Sequence, residues 1–136
     1  MNNFGLDTNI LLYLYDANDH RKRHISEDIV SSSPIISTQV VSEFINVTKR
    51  LLKLPKQEVL SKCNQVFSQC KIVSVDQNIL NHSLYLLGKY DFQTFDSIII
   101  SSTLAAGCST LYSEDLQHNQ LIEGKLTIIN PYLEFL

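Results

Sequence analysis

The stretch Phe4-Gly5-Leu6-Asp7-Thr8-Asn9-Ile10-Leu11-Leu12 decides the reading of this chain. Phe4 to Leu6 is a short apolar run that reads as a buried strand, and a helical pattern follows over Ile10 to Asp16. The polar triplet Asp7-Thr8-Asn9 therefore stands where a strand ends and a helix begins. In an open parallel sheet that edge is where ligands bind. The same three residue types also make good helix caps, because each side chain can accept a bond from a free backbone N–H. Asp7 alone does not decide between a cap and a ligand.

The alternation repeats along the chain. Strands are predicted at Phe4 to Leu6, Pro34 to Ser37, Lys71 to Val75, Thr110 to Tyr112 and Leu126 to Ile129. Helices are predicted over Ile10 to Asp16, Arg21 to Val30, Thr38 to Leu52, Pro55 to Gln69, Gln77 to Lys89 and Phe95 to Ala106. Pro55 suits a first helical turn, Asp76 a cap, and Gly107 a C-terminal stop. Strand and helix in alternation imply a central parallel sheet between helices, a three-layer α/β/α sandwich of Rossmann-like type. With 136 residues, 44% of them hydrophobic, and no internal repeat or linker, the expectation is one domain over residues 1–136.

Three further acids resist a packing explanation. Glu43 lies on the helix from Thr38, three residues after Val40 and beside Phe44, on the apolar stripe. An ionised carboxylate there needs a cation or strong donors. Asp96 heads Asp96-Ser97-Ile98-Ile99-Ile100, a helix apolar on most faces, so its N-terminus points somewhere enclosed. Stabilisation of that helix dipole is the competing explanation for Asp96. Ser113-Glu114-Asp115 follows the strand Thr110 to Tyr112 and again places polar groups at a strand end. If the first and fourth strands are neighbours, Asp7, Asp96 and Asp115 converge at their carboxyl ends and Glu43 joins them from a flanking helix. Four carboxylates in one pocket call for cations, and all-oxygen ligation selects Mg²⁺ or Mn²⁺ over zinc. Such ions activate water and stabilise a leaving oxygen during phosphodiester cleavage. Arg50, seven residues beyond Glu43, stands about 10 Å further along the same helix, a reach suited to a neighbouring phosphate.

Taken in order, Asp7-Thr8-Asn9-Ile10-Leu11, Ser42-Glu43-Phe44, Phe95-Asp96-Ser97-Ile98-Ile99, Ser113-Glu114-Asp115-Leu116 and Ile129-Asn130-Pro131-Tyr132 resemble the PIN domain family, and within it the VapC-like ribonuclease toxins of toxin–antitoxin pairs. The resemblance covers nearly the whole chain. It implies metal-binding, catalytic acids at Asp7, Glu43, Asp96 and Asp115, with Asn9 and the Ser113 hydroxyl as supporting groups. It also implies hydrolysis of RNA by metal-activated water to leave a 5′-phosphate and a 3′-hydroxyl, a cognate antitoxin protein as partner, and a homodimer.

Other features narrow the field. The net charge of −3 runs against non-specific grip on nucleic acid and leaves a non-catalytic PIN-fold module, RNA-binding or scaffold, as the alternative. The charge is segregated, however, with nine of the eleven Lys and Arg in residues 1–71. An aspartyl-phosphate phosphatase would place a second acid where Asn9 stands and has no use for Glu43. Four glycines with no Gly-rich phosphate loop argue against a nucleotide-dependent switch or kinase. His20 and His24, spaced i and i+4, lack an evident third ligand. Cys63, Cys70 and Cys108 fall in apolar, helix-like runs and read as buried free thiols, Cys63 and Cys70 on one helix face. No run approaches the length of a membrane span and the acidic start is unlike a signal peptide, so a cytoplasmic location is expected.

Overall fold

The computed structural model describes residues 3–51 and 53–133. Its elements run β1 (Phe4–Leu6), α1 (Thr8–Leu12), a 3₁₀ turn (Tyr13–Tyr15), α2 (His20–Val30), β2 (Ile35–Ser37), α3 (Thr38–Leu51), α4 (Lys56–Ser68), β3 (Lys71–Val73), α5 (Gln77–Lys89), α6 (Thr94–Ala105), β4 (Thr110–Tyr112), β5 (Leu121–Ile122) and β6 (Leu126–Ile129). The strands form one six-stranded sheet in the order β3-β2-β1-β4-β6-β5, covered by helices as a three-layer α/β/α sandwich. All pairings are parallel except β5 with β6. Among the described residues no helix is long and apolar enough to cross a membrane.

The chain leaves β1 toward β2 on one side and reaches β4 on the other, so β1 and β4 flank the switch in strand order. Leu6 pairs with Tyr112, which sets Asp7 and Ser113 side by side just beyond the two strands. The parallel ladder continues past β1, with Asp7 N–H donating to the Tyr112 carbonyl at 2.9 Å.

The core that fixes this edge is apolar and closed. Leu6, Ile36, Leu111 and Ile128 from the sheet are buried against Ile10, Leu11, Val40, Phe44, Ile99 and Ile100. Helix α6 is buried over Ser97 to Thr103, and it can carry hydroxyls there because each finds a carbonyl. Ser101 donates to Ile79, Ser102 to Ile98 and Thr103 to Ile99, each at 2.7 Å. Gly5 permits this packing: a Cβ at that position would lie 2.8 Å from Thr103 Cγ2. Ser37 starts α3 by accepting from the Val40 N–H at 3.2 Å.

Several boundaries differ from the sequence reading. The first helix begins at Thr8, directly on the Asp7 cap, and ends at Leu12, where the chain tightens into the 3₁₀ turn. Helix α6 begins at Thr94 with Gln93 as its cap. β3 stops at Val73, and α4 ends at Ser68, leaving Cys70 half-buried in the turn that follows. Leu52, given above as the end of α3, lies outside the described residues. The strand Leu121–Ile122 is new, and it makes the sheet edge antiparallel. It is only two residues long, folded back by a turn in which Glu123 and Gly124 both have positive φ, 56° and 64°.

Candidate active site

Asp7, Glu43, Asp96 and Asp115 line one groove of about 370 Å³, together with Thr8, Asn9, Leu12, Asn46, Val47 and Arg50. They arrive from the end of β1, the middle of α3, the first turn of α6 and the turn after β4. Each is held differently.

Asp7 is 6% exposed and both carboxylate oxygens are engaged. Oδ1 accepts from the Thr8 N–H at 2.7 Å, so the capping role is real. Oδ2 accepts from the Ser113 hydroxyl at 2.8 Å and from Asn9 Nδ2 at 3.3 Å, which capping does not require. Burial raises the Asp7 pKa to about 6; hydrogen bonds from Ser113 and Thr8 oppose the rise, while the Asp96 and Glu43 charges add to it. Glu43 Oε2 accepts the Thr8 hydroxyl at 2.6 Å. Asn9 works in both directions. Its Nδ2 donates to Asp115 Oδ2 at 3.0 Å, and its Oδ1 accepts from the Glu114 N–H at 3.2 Å. Ser113 is fully buried, and its oxygen also accepts from the Leu116 N–H at 3.3 Å.

Asp96 is the third residue of α6, half-buried, and among the described residues its carboxylate takes no hydrogen bond. It does not cap its helix. Burial raises its pKa, and the Glu43 and Asp115 charges raise it further. Arg50 is exposed on the wall of the groove, and among the described residues none of the four acids is ion-paired with a Lys or Arg.

A divalent cation fits this donor set. The groove concentrates carboxylate oxygens that, among the described residues, pair with no Lys or Arg, and burial together with the neighbouring acids raises the pKa of Asp7 and Asp96. Among the described residues no three His, Cys, Asp or Glu side chains close into a ready-made ligand cage. His24 sits 3.7 Å from Glu27.

The sequence reading placed Asp7, Glu43, Asp96, Asp115, Asn9 and Arg50 along what is one groove, with Ser113 beneath it. It missed Thr8 as the group that orients Glu43, and Asn46, one helical turn after Glu43 on the same face. The i, i+3 spacing of Glu43 and Asn46 carried that signal. Glu114, which shares a strand end with Asp115, does not line the groove; Lys22 and Tyr13 hold it.

The model of the PIN domain family matches residues 5–123. Among solved structures the chain is similar to one from a toxin–antitoxin complex of Klebsiella pneumoniae, at 21% identity and TM-score 0.72, covering 96% of this chain and 98% of that one. It is similar to a chain of DNA-bound VapBC from Salmonella typhimurium, at 17% identity and TM-score 0.71, covering 94% and 97%. It is also similar to the sarcin–ricin-loop-cleaving toxin VapC20 of Mycobacterium tuberculosis, at 16% identity and TM-score 0.65, covering 82% and 89%. At these identities the structural likeness is one of fold. The comparison with curated proteins gives no match.

Proposed function

The chain belongs to the PIN domain family, and from that premise we propose that it is a Mg²⁺-dependent endoribonuclease, with Mn²⁺ able to substitute, that hydrolyses RNA phosphodiester bonds in the acidic groove. The observation that carries this reading is the meeting of Asp7, Glu43, Asp96 and Asp115 in one groove with, among the described residues, no Lys or Arg paired to them.

These four acids would hold the cation. Bound there, Mg²⁺ supplies Lewis-acid activation of water and stabilises charge on the phosphodiester oxygens. The protein's own part is to fix the carboxylates before RNA arrives. Ser113 and Thr8 hold the two oxygens of Asp7, the Thr8 hydroxyl holds Glu43, and Asn9 ties Asp115 to Asp7. Asp96, which takes no hydrogen bond among the described residues, would offer its lone pairs for ligation. Arg50 is the residue on the groove wall able to take a neighbouring phosphate and offset an acidic surface. No side-chain nucleophile is required.

We further propose that the protein is the toxin of a toxin–antitoxin pair, working in the cytoplasm and restrained by a cognate antitoxin. The support is that the similar structures are described as toxin–antitoxin assemblies. A homodimer, which the family resemblance implies, is also proposed, and α5 offers an apolar stripe for it, with Leu80 43% and Leu84 67% exposed.

Incubation of the purified protein with total RNA in Mg²⁺, Mn²⁺ or chelator, with mapping of the cut ends, tests the activity. Cleavage that needs a divalent ion, leaves 5′-phosphates and disappears in Glu43→Gln is expected. Tight RNA binding with intact RNA in both metals would favour a binding module instead.

A further inference from the structure

Helix α2 stands outside the groove, yet one of its residues reaches the turn that carries Asp115. Lys22 Nζ donates to Glu114 Oε2 at 2.5 Å and to the Tyr13 hydroxyl at 3.2 Å. The Tyr13 hydroxyl in turn donates to the other oxygen, Glu114 Oε1, at 2.5 Å. Lys22 Nζ also lies 4.8 Å from the centre of the Tyr13 ring and 5.3 Å from that of Tyr132. The two rings meet edge to face at 5.1 Å. Tyr132 is fixed from behind, its hydroxyl bonded to buried Ser26 at 2.7 Å and its carbonyl accepting from Arg21 at 2.6 Å.

This cluster is more than a surface ion pair, which would be worth little. The Lys22 and Glu114 side chains are 25% and 23% exposed, and both Glu114 oxygens are bound. Its place in the chain gives it a consequence. Glu114 lies between Ser113, which holds Asp7, and Asp115, which Asn9 holds. The Glu114 carboxylate is pulled toward α2 while its own N–H donates to Asn9 on α1. The turn is thus pinned from two sides, and one residue of slack at Glu114 would free both a hydrogen-bond donor and a carboxylate of the groove.

We propose that Lys22 and Tyr13, acting through Glu114, are positioning residues that hold Ser113 and Asp115 in their working places. This rests on the reading of the groove as the hydrolytic site. None of the three lines the groove; they act by fixing the turn. Displacement of a reacting group by about 1 Å can cost a factor of about 100 in rate.

The test is Lys22→Met, which keeps most of the length and the apolar contact with the two rings but removes the charge, beside Lys22→Arg and Tyr13→Phe. Two readouts are taken, RNA cleavage kinetics in Mg²⁺ and amide hydrogen exchange of residues 113–116 in the same proteins. Lys22→Met is expected to lower kcat at least tenfold with KM within threefold, and to speed exchange at 113–116 at least tenfold while β1 and α6 stay protected. Lys22→Arg is expected to restore kcat to within about threefold, and Tyr13→Phe to fall between. Wild-type exchange at 113–116 in Lys22→Met overturns the proposal. So does full activity in that variant, or slowing confined to KM. Should the wild-type protein cut no RNA in either metal, the proposed activity fails, and the exchange measurement still decides whether the clamp exists. If Lys22→Met unfolds, Tyr13→Phe, which removes one hydroxyl alone, carries the same two measurements.

Discussion

Replacing Asp7 by Asn removes the most buried charge of the groove and turns its energetic cost into a measurable quantity. The Asp7 pKa is raised from 3.8 to about 6, so the native state binds this proton more tightly than the unfolded chain does. The sign follows from linkage. A carboxyl with a raised native pKa costs the metal-free protein nothing below the unfolded value; its cost grows between the two values and is complete above the native one. Proton affinity raised roughly a hundredfold corresponds to about 3 kcal/mol, fully developed above about pH 7 and down to about 1 kcal/mol near pH 4.5. Asn carries no such cost at any pH. Against this, the amide turns an N–H₂ toward two donors, the Ser113 hydroxyl and Asn9 Nδ2, and Ser113 Oγ is already accepting from Leu116. Losing those bonds costs about 1 kcal/mol, independent of pH.

The net expectation in chelator is that Asp7→Asn matches the parent near pH 4.5 and exceeds it by about 2 kcal/mol at pH 8. For a chain of this size that is roughly 8 °C in Tm. Urea unfolding of both proteins across that pH range measures it. In saturating Mg²⁺ the order should reverse, because the parent regains through ligation what the variant has lost. A variant less stable than the parent at pH 8 in chelator, or a difference that stays flat with pH, would refute the argument that Asp7 is a strained carboxylate waiting for a cation.

Mg²⁺ or Mn²⁺ should itself stabilise the protein, by about 2.7 kcal/mol at a hundredfold excess over Kd, and a melting temperature indifferent to both ions would count against the site. Asp96→Asn should abolish cleavage while melting in chelator at or above the parent temperature, since Asp96 caps nothing; a variant that melts lower yet cuts normally would return Asp96 to a structural role. Arg50→Ala should weaken RNA binding across sequences and lower the salt slope by about one ion, with metal stabilisation unchanged, which filter binding over a range of KCl reads directly. Gly5→Ala should cost about 1 to 3 kcal/mol by driving its methyl into Thr103, and Thr103→Ser in the same chain should recover most of the loss by removing Cγ2 while keeping the hydroxyl bond to Ile99; equal destabilisation with and without that second change would exclude the clash as cause.

What could be read from the chain and what could not divide along a physical line. Asp7, Glu43 and Asp96 were legible because each is a charge where apolar neighbours predict burial, and burial without a partner is costly enough to demand a reason. The partners that hold them were not legible, since they are set by the fold rather than by spacing: Thr8 meets Glu43 across 35 positions, Ser113 meets Asp7 across 106 and Lys22 meets Glu114 across 92. The β5 strand escaped for a different reason. It has two residues, one of them Leu121 at 57% exposed, too few to carry an alternation. The sharpest case is Asp96. With the helix drawn from Phe95, its carboxylate could be explained as service to the helix dipole. With α6 beginning at Thr94 and Gln93 as the cap, Asp96 is the third helical residue, and its carboxylate reaches back to no backbone N–H of the described chain. In the first turn Asp96 still gains from the helix dipole, but that does not account for a half-buried carboxylate whose pKa is raised by burial and by the Glu43 and Asp115 charges.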